Sequence, residues 1–148
     1  MAVVRTASST WTGDLVSGSG LITYVSSGAF ARLPVSWAAR TESHDGKTSP
    51  EELVAAAHAA CFSMALSSRL AKNGTVATRL DVRCEVTFDK LGAGWKLTRS
   101  ALKVTGLVPG IDAATFSRLA DDAKENCPIS VALKGNVDLS VEASLAEA

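Results

Sequence analysis

Four side chains in this sequence could do covalent chemistry: Cys61, Cys84, Cys127 and His58. A cysteine reacts as its thiolate, so the surroundings of each thiol decide what it can do. Cys61 lies in Ala59-Ala60-Cys61-Phe62-Ser63-Met64, inside a long apolar segment. Small residues in a buried helix pack tightly, and a mid-helix thiol gains nothing from a helix N-terminus. A reactive Cys61 therefore needs a cation brought from elsewhere in the chain. Cys127 precedes Pro128 at a break between two helical segments, where unpaired backbone N–H groups favour a thiolate. Such a cysteine can equally be structural. Cys84 alternates with polar neighbours alongside Leu80, Val82, Val86 and Phe88, and reads as a small hydrophobe on the apolar face of a strand. His58 stands three residues before Cys61, so the two share a helix face. They could be base and nucleophile. At that spacing, however, imidazole and thiol project in parallel and no third group is obvious to orient the ring, which favours a hydrogen-bonded packing histidine. His44 falls in a polar loop and reads as solvated.

The elements that must position these groups are legible from pattern. Trp11 to Val16 and Leu21 to Val25 flank Gly18-Ser19-Gly20, which predicts a hairpin. Leu33 to Ala38 predicts a third strand, with Pro34 marking it as an edge. After a polar loop from Glu42 to Thr48, Ser49-Pro50-Glu51-Glu52 predicts a helix start: Ser49 as N-cap, Pro50 at N1 and Glu52 at N3 of a capping box. The helix should run to Lys72 and stop near Asn73-Gly74. Leu53 to Leu66 carries almost no charge, so this helix is expected to be buried on most sides, in the fold or at an interface. Leu80 to Phe88 alternates as a half-buried strand, Gly92 and Gly94 turn the chain, and Trp95 to Leu107 returns. Asp112 can cap a second helix that presents Phe116, Leu119, Ala120 and Ala123 on one face. Cys127-Pro128 ends it and opens a short third helix, and Val137, Leu139 and Val141 mark a last strand. The expectation is one α+β domain, residues 1–148, of antiparallel strands around one or two buried helices.

Composition narrows the function. The chain has 148 residues, enough for one domain with a real core. Lys plus Arg and Asp plus Glu number 15 each, a balance that points away from nucleic acid and acidic membrane surfaces. No apolar run approaching about 18 residues stands out, so no membrane span is expected. Met1 to Ser9 lacks the apolar stretch of a signal peptide, so a cytoplasmic location is expected. Three cysteines are too few for a disulfide framework, and neither Cys-x-x-Cys nor His-x-x-x-His occurs to suggest zinc.

The run from Ser49 to Leu66, centred on His58-Ala59-Ala60-Cys61-Phe62-Ser63-Met64, resembles the signature helix of the osmotically inducible protein C (OsmC) and organic hydroperoxide resistance (Ohr) family. The likeness continues at Trp11-Thr12-Gly13-Asp14, at Val108-Pro109-Gly110-Ile111-Asp112-Ala113 and at Ala123-Lys124 through Cys127-Pro128-Ile129-Ser130. It covers nearly the whole chain. The resemblance implies a two-layer α/β fold, an intertwined homodimer, and a thiol peroxidase that reduces organic hydroperoxides and hydrogen peroxide in oxidative or osmotic stress defence. By position, Cys61 matches the peroxidatic cysteine, Cys127 the resolving cysteine, and Glu51 the glutamate ten residues upstream. Cys84 matches no catalytic position. In the Ohr branch the active-site arginine sits in a glycine-rich turn near the N-terminus. Here that turn is Gly18-Ser19-Gly20, without arginine. Arg40, in Trp37-Ala38-Ala39-Arg40-Thr41, fits the place used by the OsmC branch.

The mechanism this implies starts with a Cys61 thiolate activated by Arg40, which Glu51 holds through a bidentate pair. A sulfenic acid forms on Cys61, Cys127 condenses with it to a disulfide, and an external dithiol resets the pair, a lipoyl-bearing protein serving in the family. No metal or organic cofactor is expected. Glu51 and Cys61 lie about 15 Å apart along a helix axis, and two antiparallel copies of the helix would bring the partner's Glu51 level with Cys61. Composite sites in a homodimer are therefore expected. Two other readings stay open, a Cys61–His58 hydrolase and a non-enzymatic dimer that binds an apolar ligand.

Overall fold

The computed structural model describes residues 1–147. They fall into two compact units, Met1–Leu53 and a second that begins at Val54.

The first unit is a three-stranded antiparallel sheet, β1 (Ala7–Thr12), β2 (Ser19–Val25) and β3 (Leu33–Val35), in the order β1-β2-β3. The expected hairpin is present, but its turn lies earlier than Gly18-Ser19-Gly20. The chain reverses over 13–18, where Asp14 Oδ1 accepts from the N–H groups of Val16 and Ser17, each at 2.9 Å. Gly20 instead lies within β2 opposite Trp11, where a Cβ would come 2.6 Å from the indole ring. The glycine makes room for a ring rather than for a turn. Pro34 does stand on an edge strand. That strand stops at Val35 rather than Ala38, because the Ser36 hydroxyl accepts from the Ala39 N–H at 3.1 Å and caps a short helix, α1 (Trp37–Thr41). Apolar side chains of this unit stay exposed in the single chain, among them Trp11, Leu15, Val16 and Tyr24.

Helix α2 (Pro50–Lys72) starts in the first unit and continues through the second. Its start is half a capping box. Ser49 Oγ accepts from the Glu52 N–H at 3.2 Å, while the Glu52 carboxylate accepts from the Thr48 hydroxyl at 3.1 Å instead of reaching back to the cap. The second unit adds β4 (Arg79–Leu91), β5 (Gly94–Leu107), α3 (Ala113–Asn126), α4 (Pro128–Leu133) and β6 (Asp138–Leu145). Its sheet order is β4-β5-β6. β4 and β5 pair antiparallel, but β6 runs parallel to β5, so the all-antiparallel expectation is corrected here. The reason is the connection: α3 and α4 carry the chain back along the sheet before β6 begins, and only such a crossover permits a parallel neighbour.

The core of this unit joins Phe62, Leu66 and Leu70 of α2 to Leu102 and Val104 of β5 and to Phe116, Leu119, Ala120 and Ala123 of α3, the last four being the predicted face. Arg69 of α2 pairs with Asp122 of α3 at its margin. The expectation that α2 is buried on most sides is not met within one chain: Ala56, Ala57, Ala60 and Met64 are exposed. Nor is the expectation of no membrane-length apolar run. An 18-residue stretch of α2 has a mean hydropathy of 1.3, enough by length and composition to cross a bilayer. That value owes much to alanines. Phe62, Leu66 and Leu70 of α2, four residues apart, form a stripe that packs into the core, while Met64 is exposed.

Close packing at Gly106 sets a test of this core. A Cβ there would lie 2.6 and 2.8 Å from the ring of Phe116, which is itself buried. Gly106→Ala should lower the unfolding free energy by about 1–3 kcal/mol, read as a fall in the urea midpoint. An unchanged midpoint would contradict the β5–α3 packing.

Candidate active site

The site residues expected from the sequence fall in two clusters, one in each unit. In the first, Arg40 ends α1 and Glu51 begins α2. Arg40 Nε donates to Glu51 Oε2 at 3.1 Å and Nη2 to Oε1 at 2.6 Å. This is the bidentate fork expected from the sequence, and it leaves Glu51 only 8 % exposed. The guanidinium carbon also stands 5.7 Å from the centre of the Trp37 ring. Trp11, Leu15, Val35, Trp37, Arg40 and Pro50 line a pocket of about 340 Å³, so the fork faces a mostly apolar recess. Arg40 therefore lies in a helix with a carboxylate partner, not loose at a strand end.

In the second unit, Cys61 of α2 and Cys127 of the α3–α4 break are both free thiols, and each acts on the acidity of the other. Cys127 caps α4 with Pro128 at its first position, as the sequence predicted, although its side chain closes no cap hydrogen bond of ordinary geometry. Burial pushes the Cys61 thiol up, the Ile129 N–H opposes this, and the neighbouring Cys127 reinforces it. For Cys127 burial also acts upward, but the Ser130 N–H and hydroxyl, the Cys61 thiol and the Ile129 N–H outweigh it and leave the thiol below its ordinary range. Burial and neighbouring groups thus move the two thiols in opposite directions.

His58 is fully buried, and both ring nitrogens are occupied. Nδ1 lies 2.7 Å from Ser100 Oγ and Nε2 lies 2.7 Å from Ser130 Oγ. It is the hydrogen-bonded packing histidine of the sequence reading, with no nitrogen left to act as a base on Cys61. Its two orienting groups were missed. Ser100 was detectable in principle: it shares an inward face with Leu102 and Val104 on β5, and a serine among core positions asks for a partner. Ser130 stands three residues after Cys127, one helical turn on. Cys84, half buried on β4, contacts Ser100 Oγ at 3.2 Å, so it is a member of a polar chain as well as a packing residue. Among the described residues, no His, Cys, Asp and Glu cluster has the makings of a metal site.

Burial holds the His58 imidazole below its ordinary 6.5. The unfolded chain therefore takes up a proton that the folded chain refuses. The stability contributed by neutral His58 is fully present above pH 6.5 and is lost as pH falls through the lowered folded value. The melting temperature should accordingly drop more steeply for the wild-type chain than for His58→Gln between about pH 7 and about pH 5. Equal slopes in thermal melts would show that His58 is not held neutral.

Known proteins resemble this chain along most of its length. Residues 43–142 match the family model described as OsmC-like protein. Peroxiredoxin OsmC of Escherichia coli K12 is 41 % identical over 142 residues, which cover 96 % of this chain and 98 % of that protein. Organic hydroperoxide resistance protein OhrA of Bacillus subtilis is 34 % identical over 105 residues, 70 % of this chain and 72 % of its own. Among solved structures, OhrB of Bacillus subtilis superposes with a TM-score of 0.71 at 26 % identity, covering 93 % of this chain and 97 % of that one. The family model and these relatives agree, and the chain belongs to the OsmC-like protein family.

Proposed function

We propose that this chain is a cysteine-based hydroperoxide reductase that reduces organic hydroperoxides and hydrogen peroxide in stress defence. The observation that carries the reading is a pair of free thiols, Cys61 of α2 and Cys127 of the α3–α4 break, near enough that each acts on the acidity of the other. A pair so placed suits a two-step cycle. The Cys61 thiolate attacks the near peroxide oxygen, the O–O bond breaks, and the alkoxide leaves as alcohol after taking a proton. Cys61 is oxidised to a sulfenic acid. The Cys127 sulfur then attacks the Cys61 sulfur, the S–O bond breaks, and hydroxide leaves with the Cys127 proton as water. An external dithiol, a lipoyl-bearing protein among the candidates, reduces the disulfide by exchange. No metal or organic cofactor takes part. A cytoplasmic location suits thiols that must return to the reduced state. The hydrolase alternative is disfavoured, because both nitrogens of His58 are bonded to serines.

One equivalent of cumene hydroperoxide should produce a Cys61–Cys127 disulfide within one chain, read by mass spectrometry of the digested, alkylated protein. With dithiothreitol present, Cys61→Ser should stop peroxide consumption, Cys127→Ser should react once and over-oxidise, and Cys84→Ser should keep most activity. A Cys61–Cys84 link, or turnover that survives Cys61→Ser, would overturn the assignment.

A Cys61 thiol pushed up by burial asks for a cation, and the Arg40–Glu51 fork is a candidate source. We assign the fork to the partner's thiols in a homodimer. Three features support this reading: the helical separation of Glu51 from Cys61, about 15 Å, the exposed face of α2 at Ala56, Ala57, Ala60 and Met64, and the uncovered apolar side chains of the first unit. Refolding a mixture of Cys61→Ser and Glu51→Ala chains should then restore activity well above either parent, since one site of each mixed dimer has both groups intact. No recovery in mixed dimers verified by mass spectrometry would place the whole site within one chain.

A further inference from the structure

His58 joins three elements that the fold holds unequally. From α2 its Nδ1 lies 2.7 Å from Ser100 Oγ on β5, and its Nε2 lies 2.7 Å from Ser130 Oγ on α4. The ring and both serines are at most 1 % exposed. α2 is 23 residues long and drives Phe62, Leu66 and Leu70 into the core. β5 is the central strand of its sheet, where Ser100 is paired with Val86 of β4 on one side and Leu139 of β6 on the other. α4 has six residues, too few to hold a helix without tertiary support. Pro128, Val131 and Ala132 are exposed, and Ser130 is the one buried residue of this helix.

We propose that the His58–Ser130 hydrogen bond is a latch: it pins α4, the least anchored of the three elements, to α2, and its release uncovers Cys127. Cys127 opens α4 and is 0 % exposed. The Val131 N–H donates to the Cys127 carbonyl at 3.0 Å, so the first turn of α4 is tied to this residue by a hydrogen bond as well as by the chain. Ser130 and Cys127 are buried one turn apart, and a movement of that turn that brings one to solvent brings the other. Such a movement strands His58 Nε2 inside the protein, since the ring stays with α2. An unpaired polar atom in the interior is costly, so the closed position of α4 is favoured by the bond it would lose. Ile129 adds apolar contact with the core, but apolar contact is not directional. The hydrogen bond is what fixes α4 at one place. Local opening of a short, lightly packed helix is then governed by this single bond.

The consequence for catalysis rests on the peroxidase reading. A thiol that stays covered until α4 lifts is kept from peroxide and from outside thiols, whereas Cys61 is only half buried. The latch thus reserves Cys127 for the second step of the cycle. His58 and Ser130 are positioning residues here, acting on Cys127 through α4 and not on substrate.

The two serines supply the test, because each gives His58 one hydrogen bond and only one of them belongs to α4. Amide hydrogen exchange is followed by NMR at Val131 and Lys134, whose N–H groups donate to the Cys127 and Ser130 carbonyls. Leu102 and Val104 of β5 serve as core references. Ser130→Ala should speed exchange at Val131 and Lys134 about tenfold relative to the references, the effect of one buried hydrogen bond. Ser100→Ala should leave that ratio at its wild-type value, His58→Phe should raise it as Ser130→Ala does, and Ser130→Thr should restore it. Labelling by iodoacetamide reads the thiol itself. In Cys61→Ser protein at about pH 9.5, above the ordinary thiol range so that acidity does not limit the reaction, Cys127 labelling counted by mass spectrometry should rise about tenfold with Ser130→Ala and not with Ser100→Ala. Unchanged exchange in α4, or equal effects of the two serine substitutions, would overturn the latch. A wild-type chain that consumes no peroxide would overturn the peroxidase reading and leave the exchange result standing.

Discussion

Burial of the α2 stripe His58, Phe62, Leu66 and Leu70 is the constraint on which the second unit depends. These residues recur every four positions, so one helix edge is driven into the core formed with β5 and α3. Cys61 is the neighbour of Phe62, and its position follows from the insertion of that ring. The same insertion fixes His58 one turn earlier, between a strand and a short helix. A polar ring in that place requires bonded partners, and Ser100 and Ser130 provide them. Hydrophobic packing and polar satisfaction thus select one rotation of α2, and that rotation presents Cys61 to Cys127.

The break at Cys127-Pro128 is the second constraint. Proline has no N–H to continue α3, but it fits the first turn of a new helix. Cys127 is therefore both the last cap of α3 and the first cap of α4. The change of direction brings the Ser130 hydroxyl to 2.7 Å from His58 Nε2. Burial pushes the Cys61 thiol up, away from the thiolate that nucleophilic attack requires. A positive charge delivered to Cys61 would oppose that shift. In the first unit, Arg40 is already oriented and partly desolvated by Glu51 and Trp37. A guanidinium held this way loses little freedom when it meets a thiolate, so little of its electrostatic effect is lost to ordering.

The sequence by itself determined the local elements. The Ser49-Pro50 start of α2, the Asp112 cap and apolar face of α3, the Cys127-Pro128 break and the period-two alternation of β4 all act within one or two turns of chain, where capping chemistry and periodicity are decisive. The Arg40–Glu51 fork was legible through resemblance, and the thiol pair likewise. Three things were decided only by tertiary structure. The turn of the first hairpin went to Asp14, because its carboxylate captures two N–H groups and Gly20 is needed beside Trp11. β6 took the parallel position, because a crossover through two helices sets its direction and no residue within β6 encodes it. Ser100 and Ser130 became partners of His58 across 42 and 72 residues of sequence, a pairing that only packing can make. Local sequence patterns report torsional preference and the burial of a face. They carry no information on which distant hydroxyl meets which ring nitrogen, because that depends on how the faces are stacked.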